Sequence, residues 1–251
     1  MFPRFVYAAT LFFCGGFSAV SHATVVVHSL KEQVQGWYTS LEASYATSST
    51  TVDKTDYKGS FRVSNNDEAR QWLFFGNLAY SDVDGKKNDD SALVHTRYIQ
   101  KHVLSDLNLE VFAQRETDEF EVLALRRLYG AGLSLLKQHQ GYAFHTLLGV
   151  MSEREEHLND ASQDRDLTRF TLSSQVQYKM PNQALLTAVV YFQPAINDFA
   201  DYRSTFNASV AFPIVDRLDL KVGYSWRYNG EAFVGVPPIK RAFTTSVSYH
   251  F

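Results

Sequence analysis

The sequence predicts an all-β protein, a closed antiparallel transmembrane β-barrel of about 12 strands following a cleaved N-terminal signal peptide. Three observations predict it. Apolar and polar residues alternate with period two over segments of about 10–12 residues, where soluble strands average about 5–6. Tight and long connections alternate along the chain. The first 23 residues are built like an export signal. Composition narrows the alternatives. The chain has 251 residues, 45% hydrophobic, with formal net charge −3 and mean hydropathy −0.23. A spanning helix needs ~18–20 consecutive apolar residues. Beyond the N-terminus the longest run is Ala184 to Phe192, broken by Thr187. The 36 Phe, Tyr and Trp residues argue against disorder, because such a chain buries surface readily. The near-balanced charge gives no reason to invoke nucleic acid.

The N-terminus comes first. Arg4 is the only charge before Lys31, an apolar stretch runs from Phe5 to Val20, and Ser21-His22-Ala23 puts small residues at −3 and −1 of a cut after Ala23. That order is a secretory signal. A retained anchor is disfavoured by Gly15-Gly16, and a lipoprotein box at Cys14 by the bulk of Phe13. The expected organisation is a signal peptide at 1–23, a short periplasmic segment at 24–33 and the barrel at 34–251. Cleavage removes Arg4 and no acid, leaving net charge −4, and removes the only cysteine, so no disulfide framework is available.

The strands follow. At the C-terminus Phe243, Thr245, Val247, Tyr249 and Phe251 alternate with small or polar residues. From Leu218 to Tyr228, Leu220, Val222, Tyr224 and Trp226 share one face, and Asp219, Lys221, Gly223 and Arg227 the other. A soluble sandwich would hide the apolar face against a second sheet; a barrel turns it to lipid. Strand length favours the barrel, as do aromatics near strand ends (Trp37 and Tyr45, Tyr202 and Phe212) and prolines confined to the connections. The expected spans are 35–46, 56–64, 70–81, 92–101, 107–115, 120–136, 141–151, 168–180, 183–192, 202–212, 217–228 and 241–251. Connections after even strands are mostly tight, as at Asn65-Asn66-Asp67-Glu68. Those after odd strands read as long and polar at 47–55, 82–91, 152–167, 193–201 and 229–240, with 116–119 the short exception. Short periplasmic turns and long outer loops place the chain in the outer membrane with both ends inside. In the sixth strand Leu123 and Leu125 suit the lipid face, but that register also sends Arg127 outward, at ~2–4 kcal/mol if it lay at the midplane. A bulge near Arg126-Arg127, or a position close to an interface, is therefore expected.

With the strands placed, three stretches resemble a family of bacterial proteins described as salt-induced outer-membrane proteins, a domain of unknown function. They are Phe112-Ala113-Gln114 through Arg126-Arg127-Leu128-Tyr129-Gly130-Ala131-Gly132-Leu133; Tyr191-Phe192-Gln193-Pro194 with Asp198 and Asp201-Tyr202-Arg203; and Pro238-Ile239-Lys240-Arg241. The resemblance covers most of 34–251 and implies an outer-membrane barrel with no established activity. Terminal Phe251, with Tyr249 and Val247, also looks like the signal read by the barrel-assembly machinery, which with periplasmic chaperones would be a partner.

Candidate chemistry is sparse. Acyl hydrolysis needs a base within reach of a serine hydroxyl. No His-x-Ser occurs, and Ser248-x-His250 lies at the periplasmic end of the last strand. The eight histidines do not cluster, and none offers metal-ligand spacing on one face. The expectation is therefore no catalytic, cofactor or metal site and no enzyme, with a hydrolase of envelope lipids as the alternative. The lumen says more. The register points Glu42, Lys58, Arg62, His95, Arg97, Glu110, Arg169, Arg203, Asp219, Lys221 and Arg227 inward. The lumen-charge candidates are Arg62, Arg97, Arg169, Arg203, Asp219, Lys221 and Arg227, with Asp219 expected to pair with Arg203. This excess of basic residues suits either a pore preferring anionic solutes or a packed lumen braced by ion pairs. The carboxylates of 152–167 (Glu153, Glu155, Glu156, Asp160, Asp164, Asp166), and Asp82, Asp84, Asp89 and Asp90, read as outer loops. They are either simply solvated or share divalent cations with lipopolysaccharide phosphates. Outer-membrane lipid and lipopolysaccharide are the expected surroundings. The function expected is a structural or stress-related envelope role with, at most, narrow solute passage.

Overall fold

The computed structural model describes residues 35–49, 53–215 and 218–249. The expected signal peptide, the expected 24–33 segment, His250 and Phe251 lie outside them. Strands β1 (Gly36–Ser49), β2 (Asp53–Asn66), β3 (Arg70–Val83), β4 (Lys86–Leu104), β5 (Leu107–Asp118) and β6 (Leu123–His139) form the first half. The second half is β7 (Tyr142–His157), β8 (Arg165–Lys179), β9 (Leu185–Pro194), β10 (Tyr202–Val215), β11 (Leu218–Asn229) and β12 (Ile239–Tyr249). Each strand pairs antiparallel with the next in one 12-stranded sheet.

The sheet curls. Lys240 Nζ on β12 reaches Glu121 between β5 and β6 at 2.6 Å, and Arg203 on β10 reaches Glu155 on β7 at 2.7 Å. These are chords across a concave interior, between strands far apart in sheet order. Among the described residues β1 and β12 are not paired, so the sheet has the curl of the expected barrel without its closing seam.

The two faces are inverted relative to a soluble protein. Leu148 is 62% and Phe243 67% exposed on the convex side, whereas Glu110 and Arg169 are 0% exposed on the concave side. Soluble folds almost never bury such charges and expose such side chains together. Convex aromatics gather at two levels. Tyr45, Tyr57 and Tyr80 contact one another in sequence at 5.1 and 6.2 Å near one rim, and Trp72 meets Tyr98 at 4.5 Å near the other. Eight residues of β3 separate Trp72 from Tyr80. At ~3.4 Å per residue and a tilt of ~40° the levels lie roughly 20 Å apart, close to the apolar band of an outer-membrane barrel.

The strands extend beyond their expected ends at the rim that joins odd strands to the next even ones. The expected loop 82–91 is a tight hairpin whose turn, Asp84-Gly85, holds both residues at positive φ (52° and 73°). That is the primed turn whose twist suits a two-residue hairpin. The expected loop 152–167 shrinks to 158–164, because β7 runs to His157 and β8 starts at Arg165. Charge pairing across strands lets polar segments continue the ladder. The long connections that remain, 158–164, 195–201 and 230–238, all lie at this rim.

The bulge expected near Arg126-Arg127 falls just before the pair. The β6–β7 register shifts between Leu123 and Leu125, and the β5–β6 register between Glu116 and Asp118. The extra residue turns Leu123 inward, where it is 1% exposed, while Arg126 is buried and Arg127 faces outward. Lower in β6, Gly130 leaves room for the Phe112 ring, whose Cζ would lie 2.2 Å from an added Cβ.

Candidate functional site

The interior near the long-connection rim holds a dense ion-pair network, built by period-two spacing on neighbouring strands. On β7, Glu153 and Glu155 both point inward, 1% and 0% exposed. Arg126 flanks them on β6, and Arg165 and Arg169 on β8. Glu153 accepts from Arg169 Nε at 2.5 Å and lies 3.3 Å from Arg126 Nε, and Arg203 reaches it across the interior. Glu155 accepts from Arg126, Arg165 and Arg203, the last two at 2.7 Å. Arg169 also forks onto Asp201, with Nη2 3.1 and 3.0 Å from its two carboxylate oxygens. Arg126 donates to Glu116 at 3.0 Å. Glu121 closes the group by accepting from Arg227 and Lys240.

A second layer lies deeper. Arg97 sits 3.3 Å from Glu110, whose other oxygen meets His145 Nε2 at 2.7 Å. His95 is bonded to Gln114 and stacks on Phe75 at 5.0 Å. The Arg62 guanidinium lies 5.6 Å from the centre of the same ring.

Of the residues singled out in the sequence, Arg62, Arg97, Arg169, Arg203 and Arg227 are on the concave face. Arg169, Arg203 and Arg227 join the rim network, while Arg62 and Arg97 lie in the deeper layer. Asp219 and Lys221 are at the other end of β11, where Lys221 is exposed. The expected Asp219–Arg203 pair is absent. Arg203 sits opposite Asn229 and Asp219 opposite Pro213, at opposite ends of the β10–β11 ladder. Val247 is exposed on β12, opposite Leu220. The backbone of Tyr249 pairs with Leu218, and Phe251 and His250 lie outside the described residues, as does the side chain of Glu42.

Sequence reasoning missed Glu116, Glu121, Arg126, Glu153, Glu155 and Asp201. Their presence narrows the expected basic excess. Across the rim network six cations (Arg126, Arg165, Arg169, Arg203, Arg227, Lys240) face five carboxylates (Glu116, Glu121, Glu153, Glu155, Asp201). Glu153 and Glu155 are interior braces, not loop carboxylates. The signal that could have found them is Glu153-x-Glu155, an alternation in phase with Leu147 and Met151, which are also buried. Among the described residues no group of three or more His, Cys, Asp or Glu is placed to hold a metal ion. The network consists of paired acidic and basic side chains. It can brace the strands, fill the interior and set a local field.

The sheet and its charged interior define an all-β, barrel-like class of protein. The chain belongs to the family of proteins of unknown function DUF481, whose model matches residues 41–251. No curated protein matches the sequence. Among solved structures the chain is similar to the NanC porin, at 11% identity and TM-score 0.49, over 77% of this chain and 93% of that one. It is also similar to the β domain of the Bordetella autotransporter Brka, at 13% identity and TM-score 0.31, over 86% of this chain and 97% of that one.

Proposed function

We propose that this protein is an outer-membrane β-barrel, exported by its N-terminal signal and closed by pairing of β12 with β1, with a non-enzymatic structural or stress-related role in the envelope. The observation that carries this reading is the inversion of faces, with Leu148 and Phe243 exposed and Glu110, Glu155 and Arg169 wholly buried. Only a lipid solvent makes that arrangement favourable on both faces. The long connections at 158–164, 195–201 and 230–238 belong outside the cell and the tight turns in the periplasm. Phe251 with Tyr249 and Val247 serves as the signal for the assembly machinery.

Solute passage through such a barrel is narrow. Arg203, Arg227 and Lys240 reach across the interior to Glu155 and Glu121, and each chord takes space that a water column would need. The single excess cation of the rim network leaves a weak preference for anions. The test is membrane fractionation followed by planar-bilayer recording of the purified protein. A band whose mobility changes on heating, in the outer-membrane fraction, with zero or small anion-preferring conductance supports the reading. A protein soluble in the periplasm, or a wide cation-selective pore, overturns it.

A further inference from the structure

The convex face near the long-connection rim carries arginines that the interior network does not use. Arg115 on β5 stands opposite Arg127 on β6, Arg127 opposite Arg154 on β7, and Arg154 opposite Asp166 on β8. All lie on the outward-facing alternation of their strands. With strands ~4.8 Å apart, the three arginines span roughly 10 Å. Directly towards the membrane come Tyr129, 60% exposed, and then the apolar row Val111, Ala131, Val150 and Phe170. The row therefore sits just above the apolar band, at the level of lipid headgroups.

The guanidiniums are available at this level. Arg115 makes no side-chain hydrogen bond or ion pair among the described residues. Arg127 donates to Glu156, which also lies 3.4 Å from Arg154, and Asp166 is 3.7 Å from Arg154. Each guanidinium has five N–H donors, so these contacts leave most of them unspent. The two carboxylates hold Arg127 and Arg154 in place and leave the row with one net positive charge. The Arg154 side chain is still 52% exposed. Planar guanidiniums in a line are suited to bidentate contact with phosphate oxygens.

We propose that Arg115, Arg127 and Arg154 form a binding site for the phosphate groups of outer-leaflet lipopolysaccharide. The inference rests on the barrel reading, which puts this face in the membrane and this rim outside. It replaces cation bridging by loop carboxylates with direct arginine contact, since Glu153 and Glu155 face inward. Arg241, outward on β12 and far from the row in sheet order, provides an isolated control.

The test is native mass spectrometry of the full-length mature protein in mild detergent, titrated with bisphosphorylated lipid A and with the same lipid dephosphorylated. At about five-fold per arginine at a membrane surface, the triple variant Arg115→Ala, Arg127→Ala, Arg154→Ala should bind the phosphorylated lipid roughly 100-fold more weakly. Arg241→Ala should bind it as the unmodified protein does. If the triple variant does not fold, Arg115→Ala, which breaks no internal pair, carries the test with an expected loss of about five-fold. Equal binding of both lipids, or unchanged binding by the arginine variants, overturns the site. So does binding abolished by a chelator, which would point to bridging cations. A protein with no heat-modifiable form fails earlier, and takes the barrel reading and the site with it.

Discussion

Replacing Glu153 with Gln should destabilise the protein more than any exposed charge change. Glu153 is 1% exposed and stands between three guanidiniums, those of Arg126, Arg169 and Arg203. The variant keeps the volume and removes the charge. The rim network then holds six cations against four carboxylates, and Arg126, Arg169 and Arg203 beside position 153 are buried. Arg169 retains Asp201, and Arg126 and Arg203 retain Glu155, so the loss is partial for each cation but shared by all three. Breaking a buried pair by deleting one partner costs about 3–5 kcal/mol. The assay is urea unfolding of protein inserted in lipid vesicles, with the folded fraction read from the heat-modifiable band. The control is Asp106→Asn, which removes the exposed pair with Lys137, at 60% and 49% side-chain exposure. That pair is screened by water, and its loss should leave the midpoint where it was. An unfolding midpoint for Glu153→Gln equal to that of Asp106→Asn would refute the bracing argument.

Two further outcomes follow from local geometry. Gly149→Ala should cost about 1–3 kcal/mol by overpacking, because its Cβ would sit 2.3 Å from the Ala131 carbonyl oxygen; a variant of unchanged urea midpoint would contradict the close β6–β7 approach. In the β2–β3 turn the backbone N–H groups of Ala69 and Arg70 donate to Asp67 at 2.8 Å, and hold its carboxyl below the ordinary aspartate value. A lowered native pKa means the turn is fully stabilised above the ordinary aspartate range and loosens as pH falls through the lowered value. Amide protection at Ala69 and Arg70 should follow that course, and a pH-independent protection factor would refute it.

The strand number was legible because period-two alternation survives wherever one face is apolar. Leu218 to Tyr228 and Phe243 to Tyr249 pair as β11 and β12 within a residue or two of their expected bounds. Strand ends at the long-connection rim were not legible. There Glu153, Arg154, Glu155 and Glu156 have no hydrophobic contrast, and charged runs read as solvated loop. Only the partners, Arg126 on one side and Arg165 and Arg169 on the other, make the segment a strand, and they are distant in sequence. Glu153 and Glu155 were lost from the interior with it, which is why the basic excess seemed larger than it is. Asp84-Gly85 is different, since the hairpin signal stood in the sequence and the flanking charges hid it. The inward turn of Leu123 depends on bulges in two ladders, which alternation alone cannot locate.

The central claim is that the convex face meets lipid while the concave face does not. Position-specific quenching tests it most directly. The only cysteine, Cys14, lies in the expected signal peptide, so single cysteines can be placed elsewhere without a background label. Labels at Leu148, Val222 and Phe243 should be quenched by nitroxides carried on lipid acyl chains, and a label at Lys221 should respond only to a water-soluble quencher. Acyl-chain quenching at Lys221 with none at Val222, or at none of the four positions, would contradict the account.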